Sequence, residues 1–472
     1  MDWLLLDDKI NKVMRKVAQL NGDEYHESFY NPHPYPGWCP ELKHMMWGFI
    51  KELKEKEAAG VATKVDLETL SELFDVIIML SDLSLTESKF QQNTNAFGEA
   101  VTAFNYKLLN ALTEANGNEV KNVFVSPGRL QAMLVLLSNW VGWYMREQIL
   151  EAICCKGMDP MTINEMFADE RYLIPYANKE DQEEGYIPTI DLKTMMWYKK
   201  GLNLDKRGLI DTEKPFLVLF KTFDFASPSA LGKINHEVEK ASHGLIKDLL
   251  IELSNETRAL LMDVFYFKAT WQSRFDEDST RTRNFYYKGG CSKVKMMSVT
   301  DNFRYYENDI FQSISLDYHS HVHTRDYSMW IHLPKQGHKI KEVLAQITEE
   351  KIGPKYQNAE VHLNLPRFEL ESNTSLAEVL KVLGMEEMFA SEDVIPNLMT
   401  DVKIDDIFQQ GKIEVNEAGT EAAMATYCVM CTGCPPFEKP KPIEMKVNHE
   451  FIFEIVETYT GNRLFSGIVN KL

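Results

Sequence analysis

The segment Lys412–Thr426, KIEVNEAGTEAAMAT, constrains this chain more than any other. It begins as a strand, with Ile413 and Val415 alternating with polar neighbours. It then passes through Glu417, Ala418 and Gly419 into a run of mostly small residues, Thr420, Glu421, Ala422, Ala423, Met424 and Ala425. After Glu421 no charged residue occurs until Glu438, although charged residues make up 26% of the chain. An exposed loop normally carries charge, whereas a segment that must later enter a sheet needs this composition. Gly419 allows the torsions of a hinge, and the alanines leave little bulk to obstruct entry. Read with period two, Thr420, Ala422, Met424, Thr426, Cys428, Met430 and Thr432 share one uncharged face. The plain alternative is an alanine-rich connecting loop near the C-terminus.

The residues around this segment carry a family resemblance, in order along the chain. KNVFVSP (Lys121–Pro127), REQILEAI (Arg146–Ile153), INHEVEKASHGLIKDLL (Ile234–Leu250), LLMDVFYFKATWQSRFD (Leu260–Asp276) and VKMMSVTDNFRYYE (Val294–Glu307) are followed by LPRFELESNTSLAEVLKVLGMEEMF (Leu365–Phe389) and NEAGTEAAMAT. From about Asn93 to Leu472 the chain resembles the serpins. The resemblance implies an α+β fold with three β-sheets surrounded by about nine helices, and an exposed reactive loop over about 417–440. It divides the chain into a serpin domain, 91–472, and an N-terminal extension, 1–90, that does not resemble the family.

The extension reads as a small helical segment. Leu6, Ile10, Val13, Met14, Val17 and Leu20 fall at helical spacing, as do Leu42, Met45, Met46, Phe49, Ile50 and Leu53, and Leu67, Leu70, Phe74, Ile77 and Ile78. Gly60 would close the second helix and Asp66 would cap the third. Asn31-Pro-His-Pro-Tyr-Pro-Gly37 forms a turn-rich connector between the first two. Its expected role is structural.

Composition narrows the partners. Lys plus Arg is 51 against Asp plus Glu 70, a net charge of −19. That argues against a nucleic-acid or heparin-like polyanion site, which requires a basic face. No run of about 18 apolar residues is present, so membrane insertion is not expected. MDWLLLDDKINK lacks the basic start and longer apolar run of a secretory signal. The expectation is a cytoplasmic monomer, extracellular if a signal has been removed. No cofactor is expected.

An enzymatic reading finds no support in the motifs. There is no G-x-S-x-G elbow and no H-E-x-x-H helix. His319, His321 and His323 would share a face of an extended segment as metal ligands do, but the resemblance places them at a hairpin tip, and no metal is expected. Cys428, Cys431 and Cys434 are spaced like half of a metal site. In a strand, however, Cys431 faces away from the other two. A bridge among them would shorten the loop, which leaves redox control as a second reading. Cys39, Cys154, Cys155 and Cys291 form no secreted disulfide framework.

The resemblance implies inhibition by conformational trapping. A serine protease attacks the loop as substrate and forms an acyl-enzyme. The cut loop then enters the main sheet before water can release it. Hinge residues Glu417, Gly419, Thr420, Glu421, Ala422, Ala423 and Ala425 fit an inhibitor, and Met424 is larger but flexible. Counted as in the family, the reactive bond is Gly433–Cys434, with Thr432, Cys431 and Met430 as alternatives because the loop is about six residues longer than the familiar pattern. No Lys or Arg lies between Ala422 and Phe437, which favours an elastase- or subtilisin-like target over a trypsin-like one. A cysteine protease target and a non-inhibitory chaperone, carrier or storage role remain as alternatives.

Departures from the family pattern concentrate where the sheet parts. Arg129, Asp263 and Gln409 stand where the family usually has Ser, Asn and His, while Ser126, Trp197 and Phe267 match. The complementary signs of Arg129 and Asp263 predict a buried or half-buried ion pair, because either charge alone would be costly there. Gln409 is expected to bridge the two parting strands.

Overall fold

Apolar–polar alternation along residues 259–270 and 408–415 decides which face of one sheet turns inward. In the computed structural model the described residues are 96–472, except 118–119, 159–161, 165–166, 168–187, 214–215, 217, 248–253, 255–256, 320–325, 351–354, 405, 421–440 and 459. Of residues 1–95, only 56, 63, 65 and 69 are described. The chain divides into two units, 1–95 and 96–472. The candidate helices of the extension lie almost wholly outside the described residues.

The described helices are α1 over 96–116, α2 (Pro127–Ser138), α3 (Trp143–Ala152), α4 (Lys206–Glu213), α5 (Ala230–Ala241), α6 (Ile340–Glu350), α7 (Ala377–Val382) and α8 (Glu386–Ala390). Helix α2 starts on Pro127, whose fixed φ suits a first helical position. It is buried at every residue but one, so it runs through the core rather than over it. Helix α5 is amphipathic and buries Ala230, Ile234 and Val238, four residues apart.

The main sheet comprises β2 (Thr189–Lys199), β3 (Leu219–Phe223), β4 (Ala259–Thr270), β10 (Phe368–Ser375), β11 (Phe408–Val415) and β12 (Gly419–Thr420). Their spatial order is β10-β11-β12-β4-β2-β3. The remaining strands are β1 (Val123–Val125), β5 (Arg281–Tyr287), β6 (Gly290–Glu307), β7 (Phe311–Asp317), β8 (Tyr327–Pro334), β9 (Gln357–Pro366), β13 (Ile443–Lys446), β14 (Phe451–Glu457) and β15 (Arg463–Val469). The long β6 serves two sheets. It pairs with β5 and β9 along most of its length and with β7 over Arg304–Glu307. Counted this way the fold has the three expected sheets.

One core lies between the main sheet and β14–β15, and it includes Phe124, Phe267, Ala269, Ile413, Val415, Phe451 and Phe453. On the opposite face, Met195, Trp197, Met262 and Val264 pack under Ile234 and Val238 of α5. Strands β14 and β15 are buried at every position, as expected for strands covered on both faces.

Burying β14 whole takes Glu454 out of water, and its neighbours compensate. Its carboxylate accepts from Asn105 Nδ2 (2.5 Å) and Tyr106 OH (3.2 Å) of α1, and pairs with His332 Nε2 (3.3 Å) and Arg463 Nε (3.9 Å). Ser313 bonds the other ring nitrogen of His332 and also the hydroxyl of Tyr356. Burial alone would raise the pKa of Glu454, but the His332 bond and the Arg463 charge hold it below the usual carboxylate range. A carboxyl depressed in the fold stabilises it above its unfolded pKa of about 4.3, and that contribution is lost as pH falls through the folded value. Glu454→Gln is therefore predicted to be less stable than wild type at pH 7, with the gap narrowing below about pH 4. Denaturant midpoints across pH 3–7 measure this, and a pH-independent gap would refute it.

Candidate functional site

The site begins where β11 ends. Asn416 to Gly419 reverse the chain so that β12 lies antiparallel to β11, pairing Thr420 with Val415. The Asn416 side-chain oxygen accepts from the main-chain amides of Ala418 (3.1 Å) and Gly419 (3.3 Å), and the Asn416 main-chain N–H donates to Gly419 O (3.0 Å). This is the local turn chemistry that asparagine favours. The carbonyls of the turn are also engaged. Asn416 O accepts from Trp271 Nε1 (2.9 Å), Glu417 O from Phe275 N (3.1 Å) and Ala418 O from Trp271 N (2.9 Å). Trp271 is fully buried and stacks on Tyr318 at 4.6 Å.

Glu417 locks the turn from its side chain. Its carboxylate pairs with Arg367 Nε at 2.5 Å and accepts from Thr280 Oγ1 at 2.5 Å, with only 4% of the side chain exposed. Burial pushes its pKa up, and the bonds from Arg367 and Thr280 outweigh this to hold it below its ordinary value. Gly419 is needed here for room rather than for torsion. A Cβ at this position would stand 2.1 Å from Ala269 O and 2.7 Å from Thr270 Cα, and its φ is not among the positive ones. In this structure Gly419 lets β12 lie against β4.

The two residues of β12 sit between β11 and β4, with Gly419 opposite Thr270 and Thr420 opposite Ala269. Beyond them, β4 and β11 share no ladder of their own among the described residues. Glu421, Ala422, Ala423, Met424 and Ala425 lie outside the described residues, as do Met430, Cys431, Thr432, Gly433 and Cys434 and the remaining loop cysteine Cys428.

Farther along β4 and β11, the structure brings Ser126, Arg129, Asp263 and Gln409 together at the start of α2. Arg129 of α2 and Asp263 of β4 form a two-pronged pair, Nε–Oδ2 and Nη2–Oδ1 each at 2.8 Å. Their side chains are 5% and 4% exposed. Thr194 of β2, directly across from Asp263, adds a bond to Oδ1 at 2.7 Å. Gln409 of β11 is placed differently from the expectation. Its amide donates to Ser126 O (2.8 Å) and accepts from Ser126 N (2.9 Å), so it ties β11 to the start of α2 and does not bridge the two strands. Trp197 does not join them. It lies three residues beyond Thr194 on β2 and therefore on the opposite face, stacked on Phe223 at 4.6 Å under α5. Sequence reasoning missed Trp271, Thr280 and Arg367. Two of their contacts to the turn are to main-chain carbonyls, which leave no sequence signal. His319 donates its amide to Thr270 O (2.7 Å), while His321 and His323 lie outside the described residues. Among the described residues no cluster of metal-ligating side chains is present.

With this geometry in view, comparison with known proteins identifies the family. The family model for serpins, serine protease inhibitors, matches residues 99–472. The chain belongs to the serpin family, whose members are protease inhibitors rather than enzymes in general. An uncharacterized serpin-like protein of Thermococcus kodakarensis is 30% identical over 374 residues, covering 78% of this chain and 84% of that protein. Iripin-8 of Ixodes ricinus is 27% identical, covering 78% and 93%. Among solved structures, a cleaved Serpin 42Da superposes with a TM-score of 0.68 at 25% identity, covering 80% of this chain and 99% of that one. Human thyroxine-binding globulin complexed with thyroxine shares the fold, with a TM-score of 0.68 at 21% identity over 80% of this chain and all of that one.

The Arg129–Asp263 pair makes a sharp stability prediction. Arg129→Ser or Asp263→Asn alone leaves the other charge buried and is expected to cost about 3–5 kcal/mol, while the double change recovers much of that. Denaturant titrations of the four proteins test it. Additive losses would mean the two charges are not coupled.

Proposed function

We propose that this chain inhibits a serine endopeptidase of elastase- or subtilisin-like specificity by loop cleavage, acyl-enzyme trapping and insertion of the cut loop as the continuation of β12. The observation that carries this reading is β12 itself, two residues of the loop already seated between β11 and β4. Beyond β12 and Glu421, the chain runs without charge from Ala422 to Phe437. Loop insertion of this kind is strand addition that releases stored strain, as known for serpins.

Extending the register of Thr420 indicates where the cut loop would go. Ala422 would seat between Ile413 and Phe267, Met424 between Gly411 and Phe265, and Thr426 between Gln409 and Asp263. Met424, the bulkiest of these, would meet Gly411, beside which the Phe124 ring already lies. About fifteen residues of strand at ~3.3 Å each would carry a tethered protease roughly 50 Å. Because the turn at Asn416–Gly419 is held by Trp271, Phe275 and Arg367, movement would begin after Thr420.

No basic residue lies between Ala422 and Phe437 to fill a trypsin-like pocket. Gly433–Cys434 is the proposed reactive bond. An assay for SDS-stable complexes against a panel of serine and cysteine proteases, with sequencing of the released peptide, tests inhibition, target class and bond together. A panel that yields only cleaved loop would favour a carrier or storage role.

Two further outcomes are expected. Thr420→Arg should turn inhibitor into substrate without unfolding the protein. The cross-strand partners of residue 420 are Val415 and Ala269, both buried in the core, where an unpaired cation is costly, so the arginine is expected to leave the sheet and deprive insertion of its seated start. Wild-type yields of complex from this variant would exclude insertion as the mechanism. Cleavage within 429–434 should raise the melting temperature, because an added central strand brings its own hydrogen bonds and packing. Equal melting of cut and intact protein would show that the loop stays out.

A further inference from the structure

The net charge of −19 conceals one cationic face. Arg281, Arg283, Lys288, Lys293 and Lys295 lie along the β5–β6 hairpin, all five exposed, and no Asp or Glu occurs from Arg281 to Thr300. Among the described residues none of the five forms an ion pair. Phe285, Val294 and Met296 turn one face of the hairpin into the core. The cross-strand pairs Thr282–Lys295, Asn284–Lys293 and Tyr286–Cys291 therefore share the other face.

Charge on β5 has an ordinary use. Among the described residues β5 pairs with no strand but β6, and a charged edge strand resists pairing with other chains. That accounts for Arg281 and Arg283 but not for Lys293 and Lys295 of β6. Lys295 has Thr282 on one side and Arg367 on the other, whose amide donates to Lys295 O at 2.7 Å. Arg367 and Lys295 thus stand side by side on one face, where like charges repel. Glu417 neutralises Arg367, whereas Lys293 and Lys295 have no carboxylate partner among the described residues.

This face is continuous with the hinge. Arg367 and Thr280, the residue before Arg281, both bind Glu417 of the turn. The loop leaves the main sheet at Thr420, and its far end enters β13, which pairs with β9, the strand beside β6. A loop held at both ends in this way keeps a protease engaged on it within reach of the hairpin. We infer that Lys293 and Lys295 form a docking face for an acidic surface beside the active-site cleft of the target protease. Exposed charges act over roughly a Debye length, about 10 Å, and they raise the rate of encounter more than the final affinity. The face selects among proteases by surface charge, separately from the pocket that reads the residue at the cut. The inference rests on the inhibitory reading and adds a property of the partner to it.

The test measures rate constants of covalent-complex formation with the panel protease that wild type traps fastest, at low and at high salt. Lys293→Ala/Lys295→Ala should slow association about threefold at low salt, and Lys293→Glu/Lys295→Glu on the order of tenfold. Both gaps should close near about 0.5 M salt. The share of encounters that end as complex should stay at the wild-type level, because the loop is unchanged. The alanine pair carries the test if the glutamate pair does not fold. Rates at or above wild type in the variants at low salt would overturn the docking face. So would a heparin fragment that binds wild type and not the variants while their rates stay unchanged, since the face would then be a polyanion site. A wild-type chain that traps no protease of the panel would remove the inhibitory reading itself and the docking face with it.

Discussion

The contact on which the rest depends is the grip of Trp271 on the turn Asn416–Gly419. Its ring nitrogen and its amide each take a carbonyl of that turn, at 2.9 Å. Unpaired buried carbonyls there would cost free energy comparable to lost hydrogen bonds. With the carbonyls satisfied and Glu417 paired to Arg367, the chain leaves β11 in one direction only, antiparallel into the main sheet. Gly419 then makes this possible sterically, since any side chain would strike Ala269. The entry of the loop is thus set by a few fixed bonds, while the chain beyond Thr420 has the composition of something that can enter after it.

Helix α2 is bonded to the strands on both sides of β12. Here α2, buried along nearly its whole length, offers both strands a partner, a neutral amide on one side and an ion pair on the other. Buried ion pairs contribute little net stability compared with apolar packing of equal volume, but breaking one by losing a partner is costly. That asymmetry suits a fastening better than a filler. It specifies where β4 lies without adding much to the stability of the fold.

Legibility in the sequence tracked the physics of each interaction. The strand that begins the 412–426 segment was readable at Lys412–Val415 because composition and period two act locally. Arg129 and Asp263 were readable as a pair because opposite charges in a buried setting require each other. The Gln409 partner was not readable, since it is the main chain of Ser126, 283 residues away. Trp197 was assigned to the opening region from its position in the family pattern. The register, which pairs Thr194 with Asp263 and Trp197 with Leu260, puts it on the other face. Glu454 was not singled out, since its partners Asn105, His332 and Arg463 come from three other elements.

The two buried charge systems use different chemistry for different ends. Around Glu454, α1, β8 and β15 converge on one carboxylate, and charge, imidazole and amide are all within reach. A group with so many partners from separate elements gives a single solution to how those elements pack. At Asp263 the partners are Arg129 and Thr194, from one helix and the neighbouring strand, and nothing across the slot from β11 bonds it among the described residues. Four partners from three elements fix the packing around Glu454, whereas Asp263 ties only α2 and β2 to β4.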